Sequence, residues 1–195
     1  MSEKITVGDI VAEFLQAIGV TTAFGVVSVH NTPMLDAIGR RNAIRFVRAR
    51  GEAGGGSMAD AYARVTNELG VLFTSTGPGA ANACGALVEA RFSGTPLLHL
   101  TGQTAQANVD RGRGTVHDVP DQLGMLKSVS KAAYRVRSPE NTVGILSQAA
   151  TQALTPPTGP VSVEIPIDIQ RSHLPRPTGL TDFKLPLPPP LQPDP

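Results

Sequence analysis

The sequence predicts a three-layer α/β/α fold, a six-stranded parallel sheet between helices. Two observations carry this. Six short apolar runs of strand length alternate with stretches of helical periodicity, and glycine, proline or asparagine punctuates nearly every junction. A third bounds the size: 195 residues, 41% of them apolar and 17% charged, suffice for one domain with a substantial core.

In chain order, Val7, Ile10, Val11, Phe14, Leu15 and Ile18 recur at helical spacing, and Gly19 ends that helix. "TTAFGVV" (21–27) reads as a buried strand. Thr32 and Pro33 open a second helix, running to about Arg41. "AIRFVRA" (43–49) is a strand, and "RGEAGGGSMADAYAR" (50–64) is a helix that begins, unusually, with three glycines behind a single acid. "GVLFTST" (70–76) is a strand, "GPGAANACGALVEARF" (77–92) one helix, and "TPLLHLTG" (95–102) a strand. A polar loop extends from Gln103 to about Pro120, followed by a short helix near 121–126. "SKAAYRV" (130–136), "ENTVGILSQAATQAL" (140–154) and "GPVSVEIPI" (159–167) complete the series as strand, helix and strand. From Pro175 the chain is dense in proline and has no amphipathic period, which predicts an extended linker over 175–195 behind a domain of 1–174.

Net charge is +1 and no basic block stands out, so composition argues for neither nucleic acid nor an anionic membrane as partner. No apolar run reaches the ~20 residues of a membrane helix, and the N-terminus lacks a signal-peptide core. Cys84 is the one cysteine, which excludes an internal disulfide and fits the cytoplasm. Its place on an apolar helix predicts a buried, inert thiol.

In open parallel sheets ligands bind beyond the carboxyl ends of the strands, which places residues 25–30, 50–52, 74–82 and 102–103 on one edge. "TSTGPGAANACG" is a glycine turn into a helix N-terminus, where free N–H groups favour an anion. Alone, it fits a ligand-free strand-to-helix turn at least as well, and it is neither a dinucleotide fingerprint nor a Walker loop. Glu52 at a helix start is favoured by the helix dipole whether or not it has a further role. His30, alone in the first crossover loop, reads equally as a solvated or structural histidine. Gln103, His117 and Asp118 belong to a long loop of the kind that tends to carry function. His99, within a strand, faces the core.

Taken together these stretches resemble the pyrimidine-binding domain of thiamine-diphosphate enzymes of the acetolactate synthase, benzoylformate decarboxylase and benzaldehyde lyase group. The resemblance rests on "FG" (24–25), "RGEAGGGSMADAYAR", "TGPGAANACGAL" (76–87), "TPLLHLTGQ" (95–103) and "GPVSVEIPIDIQ" (159–170), in that order. In the family the second stretch reads approximately H-E-x-x-A-x-x-M-A-x-G-Y-A-R and the third G-P-G-x-x-N. The resemblance implies a six-stranded parallel sheet and an enzyme acting on a 2-keto acid or 2-hydroxy ketone. It implies that Glu52 hydrogen-bonds a pyrimidine nitrogen of thiamine diphosphate, favouring the imino tautomer. It implies that Thr76, Gly77, Pro78 and Asn82 lie on the loop against the pyrimidine ring, and that Gln103 faces the reacting centre. His30 follows "FG" where benzaldehyde lyase has a histidine that moves substrate protons.

This chain departs from the pattern at Gly51, where relatives usually have histidine, and at "VVSVHN", where acetolactate synthases have a "PGG"-like loop. The family's GDG motif for diphosphate and Mg2+ is absent from the 195 residues, so the resemblance implies half a site. The other half would come from a phosphate domain of a homodimer or homotetramer, with a middle domain following the linker and the isolated domain inactive. Some relatives bind FAD, which the resemblance leaves open. A non-catalytic structural or regulatory domain of the same fold, an enzyme split over two chains, and a nucleotide-binding module stay as alternatives. The glycines Gly54–Gly56 are expected to admit a partner helix or the pyrimidine ring close to the backbone.

Overall fold

Short side chains, polar or glycine, stand at the junctions where the chain turns into helices. Thr6 and Asp9 form a capping box at the first helix, and Gly51 enters the third in extended conformation. A computed structural model describes residues 4–189. Its elements are β1 (Lys4–Thr6), α1 (Val7–Ala17), β2 (Thr22–Gly25), α2 (Thr32–Arg41), β3 (Arg45–Arg48), α3 (Glu52–Thr66), β4 (Gly70–Thr74), α4 (Pro78–Asn82), α5 (Cys84–Phe92), β5 (Leu97–Gln103), α6 (Gln122–Val129), β6 (Ala132–Arg135), α7 (Thr142–Leu154), β7 (Pro160–Pro166), α8 (Ile167–Arg171) and β8 (His173–Pro175).

Six strands form one sheet, all pairs parallel, in the order β3-β2-β4-β5-β7-β6. The two-residue period of the strands divides their side chains between two helical layers. Val71, Phe73, Leu98, Leu100, Val161 and Val163 pack with residues of α1, α2 and α7. Phe24, Leu72 and Leu97 pack with Ala59, Leu87 and Leu126 on the opposite face. The chain leaves β2 for one edge of the sheet and β4 for the other, so the carboxyl ends of these neighbours border a topological switch point.

The three-layer expectation therefore holds, with differences of detail. The helix expected over 77–92 is two: α4 closes with a tight turn at Ala83, whose N–H bonds Ala80 O at 3.3 Å, and α5 starts anew. The glycines of α3 have reasons inside this chain. A Cβ on Gly55 would lie 3.3 Å from Leu72 and one on Gly56 2.6 Å from Ala86, so these two let α3 settle onto the sheet and α5. Gly54 alone meets open space. Cys84 is half-buried rather than buried, its thiol raised by burial.

The proline-rich tail also needs correction. It is not detached from the core: β8 pairs antiparallel with β1, Leu180 is 1% exposed, and Phe183 stacks on Phe14 at 5.3 Å. Arg176 bonds the buried Glu13 at 2.6 Å, a carboxylate that Arg41 also holds. These contacts tie the segment to α1 because its few apolar side chains find an unfilled groove there. Residues 190–195 of the tail, and 1–3 of the N-terminus, lie outside the described residues. Among the described residues no helix is long and apolar enough to cross a membrane.

His99 lies in the core as its place in a strand predicts, between the Thr74 and Ser162 hydroxyls at 2.9 Å each. Complete burial pushes its imidazole down to about 3 from 6.5. The unfolded chain binds a proton as pH falls through 6.5 and the folded chain does not until about 3. The His99 contribution to stability is thus intact above 6.5 and is lost towards 3, with a slope approaching ~1.4 kcal/mol per pH unit. Urea midpoints are expected to fall across that window, and His99→Gln to flatten the fall. An unchanged slope in the variant would remove His99 as its cause.

Candidate active site

The loops after β2, β3, β4 and β5 meet at the switch point, held there by neutral amides and by missing Cβ atoms. Asn31, fully buried, donates Nδ2 to Val26 O at 2.9 Å and to Thr74 O at 3.0 Å, and accepts from Ser28 N at 2.8 Å. It binds the first loop to the end of β4. Gln170 on α8 donates to the His30 carbonyl at 2.7 Å. Gly102 lies under that carbonyl so closely that any Cβ would strike it.

Glu52 is the first residue of α3, where the helix dipole favours a carboxylate, and it is 8% exposed. The turn into α4 wraps around it. Gly77 takes φ +55°, a left-handed value that suits glycine, and its missing Cβ makes room for the His117 carbonyl. Pro78 starts the helix without an N–H to satisfy. A Cβ on Gly79 would stand 2.6 Å from Glu52 Oε1, so this glycine leaves the carboxylate its space. Asn82 Nδ2 lies 3.5 Å from Glu52 Oε2, the outer limit of a hydrogen bond, and is the carboxylate's one side-chain partner among the described residues. Glu52 Oε1 is left to accept from, or share a proton with, a group brought to the crevice.

His30 is half-buried and its ring lies 5.5 Å from that of His117. Its Nδ1 is buried with no hydrogen-bond partner, although buried polar atoms normally have one. Burial, and secondarily the neighbouring His117, hold the His30 imidazole below its ordinary value, so it is neutral at pH 7. His117 itself has φ +65°, in the left-handed region.

The remaining expected site residues occupy a different level. Gln103 is 2% exposed and turned inward: its Oε1 accepts from Thr104 N at 2.7 Å and its Nε2 lies 3.4 Å from Glu164. Thr76 is fully buried and donates to Gln122 Oε1 at 2.8 Å. Pro78 and Asn82 are exposed at the rim. Thr76, Gly77, Pro78, Asn82 and Glu52 are thus brought together around one turn, while Gln103 lies beneath it. Sequence reasoning passed over Gly79, Asn31, Gln122 and Glu164. Gly79 was visible as the second glycine of "GPG". Glu164 is a carboxylate inside an apolar strand, which is rare without a partner and was itself a signal. Its partner is Arg135, on the adjacent β6, which also holds Asp110. Burial pushes the Glu164 carboxyl up, against the pull of Arg135.

A family model described as "Thiamine pyrophosphate enzyme, N-terminal TPP binding domain" matches residues 5–125. The chain belongs to this family. The TPP-binding domain is 32% identical over 167 residues to a probable 2-ketoarginine decarboxylase of Pseudomonas aeruginosa, covering 86% of this chain and 30% of that protein. It is 36% identical to a 2-hydroxyacyl-CoA lyase 2 of Xenopus laevis, covering 86% of this chain and 26% of the lyase. With the acetolactate synthase large subunit of Lactococcus lactis it shares 30% identity, covering 95% of this chain and 32% of the subunit. Among solved structures, a thiamine diphosphate-dependent 4-hydroxybenzoylformate decarboxylase of Rhodococcus jostii superposes with a TM-score of 0.83 at 29% identity, over 92% of this chain and 34% of that one. The TPP-binding domain therefore spans about a third or less of the relatives' length.

Gly79→Ala is expected to displace the Glu52 carboxylate and to cost about 1–3 kcal/mol, the usual range for overpacking. Gly54→Ala, into open space, is expected to cost nothing or to stabilise. Equal thermal midpoints for the two variants would contradict the close fit at Gly79.

Proposed function

We propose that this domain is the pyrimidine-binding half of a thiamine-diphosphate-dependent carboligase, lyase or decarboxylase acting on 2-keto acids or 2-hydroxy ketones. One observation carries the proposal: Glu52 is buried at a helix start, one oxygen at the limit of Asn82 and the other unfilled, with Gly79 holding the space beside it. That donor set fits a flat heteroaromatic ring whose nitrogen meets a carboxyl. Bound there, thiamine diphosphate supplies a nucleophilic carbon and an electron sink for 2-keto acid chemistry.

The chain's own residues do the rest. Glu52 holds or releases a proton at its free oxygen, with the carboxylate itself 8% exposed. Gly77 and Pro78 present a small, rigid wall beside it. His30, neutral and half-buried at the crevice, is equipped to take a proton from a hydroxyl of the substrate. Gln103, bonded beneath the turn, sets the floor of the reacting centre rather than entering it. Mg2+ would be held with the diphosphate by a phosphate domain, in a homodimer or homotetramer in the cytoplasm. The free Cys84 agrees with such a reducing compartment.

In the complete enzyme, Glu52→Gln is expected to lower turnover of pyruvate, benzoylformate or 2-ketoarginine, whichever the wild type accepts, by ~10²-fold or more, because an amide cannot supply the proton. Turnover near wild type would refute the assignment. His30→Asn is expected to reduce turnover and to remove a limb of the kcat/KM profile lying below pH 6.5. The sign follows from a base that must be neutral and whose value is lowered from 6.5. An unaltered profile and rate would exclude His30 from proton transfer.

A further inference from the structure

From the geometry we infer that Gln122 is a positioning residue for the candidate active site, a side chain that ties the turn beside Glu52 to the strand end beneath His30 through direct bonds to both backbones. This rests on the reading of Glu52 proposed above. Gln122 opens α6 and is fully buried. Its amide makes four contacts to groups from three strand ends. Oε1 accepts from Gly77 N at 2.6 Å and from Thr76 Oγ1 at 2.8 Å; Nε2 donates to Gly102 O at 3.1 Å and to Glu164 Oε2 at 2.8 Å.

The partners fix the amide's orientation. A backbone N–H can only donate and a backbone carbonyl can only accept, so Oε1 must face Gly77 and Nε2 must face Gly102. All four positions of the amide are then used, and Glu164 is in turn held by Arg135. Two short paths lead outward. From Gly77 the chain runs through the rigid Pro78 to Gly79, which abuts Glu52. From Gly102 the close contact is the carbonyl of His30. A residue that merely filled the core would need neither an acceptor on one side nor a donor on the other. Gln122 supplies both where the ends of β4, β5 and β7 meet.

The test uses the complete enzyme with Gln122→Met, Gln122→Glu and, as control, Leu126→Ala, a fully buried residue of the same helix whose apolar side chain makes no hydrogen bond to the turn. Calorimetric Kd for thiamine diphosphate with Mg2+, thermal midpoint and hydrogen exchange of the Gly77 amide are read for each. Gln122→Met is expected to raise Kd about tenfold or more, as lost support for a site does, and to speed Gly77 exchange at least about tenfold. Gln122→Glu keeps the acceptor for Gly77 but not the donor for Gly102, and is expected to preserve Gly77 protection while still weakening cofactor binding. Leu126→Ala is expected to lower the thermal midpoint with Kd within about threefold of wild type. If both helix positions change Kd equally, or if Gln122→Met leaves Kd unchanged, Gln122 only stabilises the fold and the inference fails. That failure is distinct from failure of the proposed function, which an active Glu52→Gln enzyme alone would show.

Discussion

Contact between backbones at the carboxyl edge of the sheet is the constraint on which the rest depends. Gly25 meets the Phe73 carbonyl, Gly77 that of His117 and Gly102 that of His30, each at a separation no Cβ would tolerate. Loops leaving different strands can therefore lie directly on one another, where side chains would hold them apart. Such proximity concentrates polar backbone groups in a place water hardly reaches, and each needs a partner. Asn31, Gln122 and Gln170 provide them. Amides serve here because each offers a donor and an acceptor without charge, so burial costs far less than it would for a carboxylate or an ammonium.

The fold was largely legible in the sequence, because periodicity and punctuation are local properties. The six strands of the sheet lie where their apolar runs are, and Pro33 marks a helix start as expected. What escaped is non-local. β1 and β8 are three residues each and exist only because they pair with one another. The packing of Leu180 and Phe183 onto α1 reverses the reading of their segment, since proline density describes the backbone but not where the intervening side chains land. The site shows the same division. Glu52 and the glycine turn announce themselves as a motif. Gln122 does not, since nothing around it tells that its amide will join ends of β4, β5 and β7, and Gln103 carries the opposite lesson: its position matches, but its side chain turns inward.

The turn at 75–79 makes one wall of the crevice, the first loop another, and the buried amides Gln103 and Gln122 its floor. A cleft lined by Gly19, Thr21, Tyr62, Glu68 and Leu185 lies at the opposite, amino edge of the sheet. The relatives that the chain matches are roughly three times as long as it is.

The pairing of β1 with β8 has a consequence for the order of folding. The amide of Val7 at the start of α1 bonds Ser172 O at 3.0 Å, and Glu13 on the same helix receives Arg176. Nearly the whole chain separates these partners, so closing their loop costs more entropy than closing that of any nearer pair. During synthesis α1 precedes residues 172–176 and lacks these tethers until they arrive. The central strands β4 and β5, paired along five successive residues, can assemble in the interval. The full set of contacts that holds α1 is thus complete only when both ends of the domain are present.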